Sequence, residues 1–269
     1  MNYFVGIDIG SVNSKIAVLN GRCAVVFSLT SPTNGKPIAV SRELIAQCEQ
    51  LIGKEYSLTV TGSARDLVGK ELHADIVKNE ITCQALAADY YLPEASSVIE
   101  IGGQDSKLIL LSNGFVENFS MNTVCAAGTG SFLEHQATRL GMPIEKFADI
   151  GSNSANPEKI NARCTVFAES DMIHAQQSGA CPSDIIFGLC LALARNFLSD
   201  TGKIGGIKPP VVFQGGVARN QAMVKAFTEV LGIEPFIPNQ PELSGAMGAA
   251  LIQIRNIKHN VSTVSSCIS

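Results

Sequence analysis

Apolar positions along the chain follow two rhythms that alternate. Short β-rich runs predict strands at Tyr3–Ile9 and Lys15–Leu19, joined by a glycine-containing turn as a hairpin. Leu44, Ile45, Cys48, Leu51 and Ile52 share one 3.6-residue stripe and predict an amphipathic helix over Ser41–Leu51. A short strand is expected at Leu58–Thr61, and a helix over Glu80–Tyr91 that Pro93 stops. Strands then resume at Ser97–Ile101, Lys107–Leu111 and, after the Ser112-Asn113-Gly114 turn, Phe115–Met121. Helical patterns follow over Gly130–Leu140 and Ala168–Gln177. Ile185–Leu198 is apolar on most faces and reads as a buried helix. Pro210–Phe213 predicts a strand that runs into two glycines, Asn220–Leu231 a helix, and Gly245–Ile254 a helix of small residues; from Asn256 the chain is polar, unpatterned and expected to fray. Mixed hairpins and helices define an α/β protein rather than a bundle or a sandwich.

The chain also repeats itself. Ile7-Asp8-Ile9-Gly10-Ser11-Val12-Asn13-Ser14-Lys15 matches Ile99-Glu100-Ile101-Gly102-Gly103-Gln104-Asp105-Ser106-Lys107, 92 positions apart. An acid, an aliphatic residue, a glycine and Ser-Lys recur in register, each copy between two β runs. This predicts a duplicated domain with a boundary near Pro93. A strand–glycine turn–strand hairpin with an acid at its first strand end suits a metal-bound nucleotide. Gly10 and Gly102-Gly103 let backbone approach phosphate oxygens, and turn N–H groups point at them. Ser11, Asn13, Ser14 and Lys15, with Ser106 and Lys107 in the second copy, add donors or charge. Asp8 is the candidate to hold Mg²⁺, through water, because Mg²⁺ keeps several of its waters. Gln104 and Asp105 are candidates to orient an attacking water; turn formation accounts equally for Asp105. A third element, Gly215-Gly216 between a strand and Asn220 at the next helix, is a natural seat for a nucleoside. One glycine turn alone is usually just a hairpin; three in order, two of them duplicated, shift the balance. Neither a P-loop nor a helix-opening G-x-G-x-x-G occurs.

Composition narrows the classes further. The 269 residues are 46% hydrophobic, enough for sizeable cores in one large or two ordinary domains. A formal charge of −4 argues against a nucleic-acid or anionic-membrane surface. No run of 18 apolar residues and no basic leader are present, so neither a membrane span nor a signal peptide is expected, and a cytoplasmic setting is.

The 8 cysteines are too few for a disulfide scaffold, and no C-x-x-C pair occurs. Cys125, in Asn122-Thr123-Val124-Cys125-Ala126-Ala127-Gly128-Thr129-Gly130, precedes a predicted helix. So does Cys164, in Ala162-Arg163-Cys164-Thr165-Val166-Phe167-Ala168-Glu169-Ser170-Asp171. A thiol at a helix start is pushed toward thiolate, and free N–H groups there can bond cluster sulfurs. Two thiolates do not fill the four-cysteine ligation of a 4Fe–4S cluster, but a twofold homodimer supplies four. By composition alone both thiols read as buried structural residues, and it is the motifs flanking them that reverse this. Cys48 and Cys190 read as core, Cys23, Cys83 and Cys267 lack ligand context, and Cys181 before Pro182 is the rival ligand. Glu169 and Asp171 read as first-turn acids that complement a helix dipole, with Arg163 a partner for them or for a cluster. The scattered His73, His135, His174 and His259 suit structural roles.

The three glycine elements resemble those of the actin, Hsp70 and sugar-kinase ATPase superfamily. That resemblance implies two RNase H-like domains closing over ATP, with Pro241–Ala250 as the connecting helix that returns to the first. It places the first ATPase domain at 1–94 plus 243–269, and the second, with the cluster cysteines and adenosine motif, at 95–242. The two cysteine segments resemble those of the ATPase activators of 2-hydroxyacyl-CoA dehydratases, a family that includes benzoyl-CoA reductase ATPase subunits. This implies an anaerobic, cytoplasmic homodimer that binds ATP/ADP and holds one bridging 4Fe–4S cluster on Cys125 and Cys164. It further implies a donor such as ferredoxin or flavodoxin, and an iron–sulfur dehydratase or reductase partner that receives a low-potential electron. Two other readings remain from the residues: a small-molecule kinase of the same superfamily, and a nucleotide-gated structural module without redox chemistry.

Overall fold

The computed structural model describes residues 3–122, 128–161, 165–201 and 204–266. The chain divides into two compact units, Met1–Pro93 with Leu243–Ser269, and Glu94–Glu242.

The first unit is built on β1 (Tyr3–Ile9), β2 (Asn13–Asn20), β3 (Val25–Pro32), β4 (Tyr56–Thr61) and β5 (Ile76–Val77), in the order β3-β2-β1-β4-β5. β1 and β2 form the expected antiparallel hairpin, and β4 joins β1 in parallel. Its helices are α1 (Pro37–Ile52), α2 (Arg65–Glu71) and α3 (Glu80–Tyr91). Side chains alternate along β1. Val5, Ile7 and Ile9 enter a core with Val40, Leu44 and Cys48 of α1, whereas Phe4 points to the opposite face with Ala246 and Ala250. Those two residues belong to α9 (Ser244–Ser266), which runs well past Ile254, where its apolar pattern ends. The small residues of α9 have a steric reason. A Cβ at Gly6 would lie 2.0 Å from Ala246 O, and one at Gly248 would lie 1.8 Å from Cys83 O. α9 meets β1 of the sheet and helix α3 backbone to backbone, which larger side chains forbid.

The second unit carries β6 (Ser97–Ile101), β7 (Ser106–Ser112), β8 (Phe115–Asn122) and β9 (Val211–Gln214) in the order β8-β7-β6-β9. A single parallel bridge, Val212 to Phe236, extends it by one position. This is the first unit's topology again, with β6 and β7 the hairpin and β9 the parallel neighbour. Its helices are α4 (Gly130–Arg139), α5 (Ile144–Ser152), α6 (Thr165–Gln177), α7 (Pro182–Thr201) and α8 (Gln221–Leu231). Ile99, Ile101, Leu108, Leu110 and Phe213 face this helical layer, and Phe227 stacks edge-on between Phe197 and Phe213. α7 is buried along most of its length, as its apolar composition requires. The opposite face of β6 carries Val98 and Glu100, the second of which belongs to the site. The mixed α/β fold with two sheets bears out the predicted class.

Candidate functional site

The two copies of the repeat fold into the same hairpin. Gly10 N–H donates to Asn13 O at 3.2 Å, and Gly102 N–H donates to Asp105 O at 3.0 Å. In each ladder the acid stands opposite the lysine, Asp8 across from Lys15 and Glu100 across from Lys107. Both are ion pairs, 3.4 Å for Lys15 Nζ to Asp8 Oδ2 and 2.7 Å for Lys107 Nζ to Glu100 Oε2. Lys107 also reaches Asp105 Oδ2 at 2.9 Å. Glu100 is the site residue that the sequence reading left out. The signal was the repeat itself, which sets Glu100 in the place of Asp8.

Glycines make room for these carboxylates. A Cβ at Gly62 would lie 2.5 Å from Asp8 Oδ1, and one at Gly245 would lie 2.6 Å from Asp8 Oδ2. In the second unit a Cβ at Gly102 would lie 2.8 Å from Asp105 Oδ1. Ser14 is buried and its hydroxyl pairs with Thr33 Oγ1 at 2.8 Å; the counterpart Ser106 is also fully buried, and its hydroxyl has no hydrogen-bond partner among the described residues. Ser11 and Gln104, at the turns, are exposed, with Asn13 and Gly103 half-buried.

The third element sits against the second hairpin. Gly215, at φ 87°, follows β9 in a conformation that favours glycine, and a Cβ there would meet Ile101 O at 2.4 Å and Glu100 Oε1 at 2.9 Å. Its N–H donates to Pro241 O. Gly216 is different: nothing lies within 4 Å of a Cβ built on it, so it presents bare backbone. Asn220 Oδ1 accepts from Met223 N–H and caps α8, while its buried Nδ2 has no partner among the described residues. The second unit thus brings Glu100, Gly102, Gly103, Gln104, Asp105, Ser106, Lys107, Gly215, Gly216 and Asn220 into one region. The first gathers Asp8, Gly10, Ser11, Asn13, Ser14 and Lys15.

Cys125 and Cys164 lie outside the described residues, as do Arg163 and Cys267. Their flanks are described, and they correct one expectation. α4 starts at Gly130, five residues beyond Cys125, and its first N–H groups are already bonded: Gly130 N–H to Gly102 O, and Ser131 N–H to Gly103 O. They bind the carbonyls of the second hairpin and so are not free for a thiolate. Glu169 and Asp171 are likewise not first-turn caps. Glu169 pairs with Arg139, and with His135 at 3.9 Å, tying α6 to α4; Asp171 accepts from Asn161 N–H. Cys48, Cys83 and Cys190 are fully buried, and burial pushes all three thiols up, Cys48 to about 11 and Cys83 to about 12. Cys181 is exposed. Among the described residues no three His, Cys, Asp or Glu side chains converge as a metal centre would require.

Two acid–lysine hairpins of one pattern, and a glycine turn after β9, on two sheets of one topology, give the chain a fold of the actin–Hsp70–sugar-kinase type. The chain belongs to the BadF/BadG/BcrA/BcrD ATPase family, whose sequence model it matches over residues 5–253. It is 35% identical to the 2-hydroxyisocaproyl-CoA dehydratase activator of Clostridioides difficile, over 98% of this chain and 99% of that one. It is 36% identical to the (R)-2-hydroxyglutaryl-CoA dehydratase activating ATPase of Acidaminococcus fermentans, over 93% and 96%. The solved structure of the activator of the 2-hydroxyisocaproyl-CoA dehydratase from Clostridium difficile with bound ADPNP superposes with a TM-score of 0.86 at 34% identity, covering 97% of each chain. No helix among the described residues is long and apolar enough to cross a membrane.

Proposed function

We propose that this protein is an ATP-driven activator that passes one electron at low potential to an iron–sulfur 2-hydroxyacyl-CoA dehydratase or a related reductase. The duplicated hairpin carries this reading, because it supplies a phosphate-binding turn, an acid and a lysine in each unit. We read 1–94 with 243–269 as the first ATPase domain and 95–242 as the second. Relatives that span nearly the whole chain are named as dehydratase activators, which sets aside the small-molecule kinase.

Phosphoryl transfer asks a protein mainly for positioning and charge stabilisation. The turns at Gly10-Ser11 and Gly102-Gly103-Gln104 offer N–H donors to phosphate oxygens, with Asn13, Ser14, Lys15, Ser106 and Lys107 beside them. Gly215, Gly216 and Asn220 receive the nucleoside. Gln104, exposed at the turn tip, and Asp105, held by Lys107, orient the attacking water. The donor chemistry at Asp8 fits Mg²⁺: its carboxylate is a hard oxygen ligand, and the glycines around it, Gly62 and Gly245, leave it room. Asp8 would hold the ion through its waters, because Mg²⁺ keeps several of them.

Cys125 and Cys164, offered by both copies of a homodimer, are the ligands we assign to a 4Fe–4S cluster, which when bound accepts and donates one electron. Both ends of the segment that carries Cys125 are fastened to the second phosphate hairpin. Asn122 stands opposite Ser106 in the β7–β8 ladder, and Gly130 and Ser131 bond the carbonyls of Gly102 and Gly103. A rearrangement of that hairpin with nucleotide state would therefore be passed to both described ends of this segment, Asn122 and Gly130. The donor is a ferredoxin or flavodoxin, and the setting is the anaerobic cytoplasm.

The test is reconstitution without oxygen. Reduced protein mixed with a 2-hydroxyacyl-CoA dehydratase component should start dehydration only when ATP is present and hydrolysed. Cys125→Ser should still hydrolyse ATP yet activate nothing. Activation with a non-hydrolysable analogue alone, or by Cys125→Ser, contradicts the proposal.

A further inference from the structure

The two phosphate hairpins share a feature beyond the repeated sequence. In each, a carbonyl of the turn is held by a hydroxyl from the segment that follows the third strand of its sheet. In the first unit, Thr33, just after β3, donates Oγ1–H to Gly10 O at 2.7 Å. In the second, Ser131, at the start of α4 after β8, donates Oγ–H to Gly103 O at 2.6 Å. Backbone bonds reinforce both. Thr33 N–H donates to Val12 O at 2.8 Å, Ser131 N–H adds a second bond to Gly103 O at 2.8 Å, and Gly130 N–H takes Gly102 O at 2.9 Å. A Cβ at Gly130 would lie 2.9 Å from Gly102 O, so only glycine lets the helix approach this closely.

The consequence follows from the peptide bond. In a trans peptide the C=O and the next residue's N–H point in opposite directions. A Gly10 carbonyl turned toward Thr33 therefore turns Ser11 N–H away from Thr33. Gly102 and Gly103 carbonyls turned toward α4 likewise turn Gly103 N–H and Gln104 N–H away from it. Ser11 and Gln104 are exposed and Gly103 is half-buried, so these three amides face the open side of the turns. Neither hydroxyl belongs to the repeated motif. The two come from different local structures, a loop and a helix start, yet act on corresponding turns.

We propose that Thr33 and Ser131 are a matched pair of positioning residues, which fix the turn peptides so that the N–H groups of Ser11, Gly103 and Gln104 are oriented for the polyphosphate before it arrives. This rests on the ATPase reading. Orientation in advance spares the bound complex the ordering of those peptides. The hydroxyls act through the backbone carbonyls of Gly10 and Gly103.

The experiment compares ATP with AMP, which lacks the β- and γ-phosphates, on purified full-length protein. Ser131→Ala and Thr33→Val each remove one hydroxyl and keep the chain's own amides. Each should weaken ATP binding and lower kcat/KM roughly tenfold, the scale of one hydrogen bond, while AMP affinity changes by less than about twofold. Ser131→Thr and Thr33→Ser should restore the wild-type values. Equal loss of ATP and AMP binding, or no loss of either, overturns the inference, because a merely structural contact does not distinguish the two nucleotides. If one alanine or valine variant fails to fold, the variant in the other unit carries the test with the same outcomes. Failure of the underlying ATPase reading looks different: wild type itself then binds neither nucleotide.

Discussion

Lys107 Nζ lies 2.7 Å from Glu100 Oε2, with 4% and 7% of the two side chains exposed. Asp8 and Lys15 hold the same relation in the other hairpin, looser at 3.4 Å and more open to water, at 12% and 19% exposed. Removing one partner of a buried pair leaves an uncompensated charge, and such changes cost about 3–5 kcal/mol. Lys107→Met should therefore lower stability by about that amount. The double change Glu100→Gln with Lys107→Met should recover most of it while ATP hydrolysis stays lost. Lys15→Met, at the looser and less buried pair, should cost less than Lys107→Met. Denaturant titration of the four proteins checks the order.

Gly215 and Gly216 are adjacent but make opposite demands. Gly215→Ala brings both a positive φ and a contact at 2.4 Å with Ile101 O, so stability should fall by about 2 kcal/mol or more. Gly216→Ala meets nothing within 4 Å and should leave the unfolding midpoint unchanged. Its effect should appear only in the KM for ATP, raised several-fold where a methyl group intrudes on the nucleoside. Thermal unfolding and steady-state kinetics on the two variants separate the effects.

The cysteines differ in the same way. In the native protein iodoacetamide should label exposed Cys181, whereas Cys48, Cys83 and Cys190 should label only after unfolding, as mass spectrometry of peptides will show.

The same burial has a pH consequence. Folded thiols at about 11 and 12 lie above the value of about 8.5 for an unfolded cysteine. The unfolded chain therefore ionises first as pH rises. The stabilisation is fully present below pH 8.5 or thereabouts and is lost progressively between about 9 and 12. The slope of unfolding free energy against pH in that window should become shallower in Cys83→Ala.

Much of the site was legible because the duplication put it in one linear stretch, twice. Asp8 to Lys15 and Glu100 to Lys107 each close a local turn, and local turns write themselves into sequence. What escaped was long-range or weakly patterned. Thr33 reaches Gly10 across 23 positions and Ser131 reaches Gly103 across 28, with no periodicity to mark either. Glu169 looked like a cap because only its own helix was in view; its partner Arg139 is on another. Among the elements, β3 was missed because Val25–Pro32 alternates poorly and is exposed along much of its length. β5 has only two residues, too few for any pattern. α2 and α5, at seven and nine residues, are short pieces whose tertiary packing outweighs local signal.

The central claim is that this ATPase carries electrons on a cluster shared by two copies. Iron and acid-labile sulfide, measured per dimer on protein purified without oxygen, test it most directly, alongside Cys164→Ala handled identically. We predict about four of each per dimer in the wild type, as one 4Fe–4S cluster requires, and neither in the variant. A wild type that hydrolyses ATP yet holds no iron, or a Cys164→Ala variant that keeps its iron, would contradict the account.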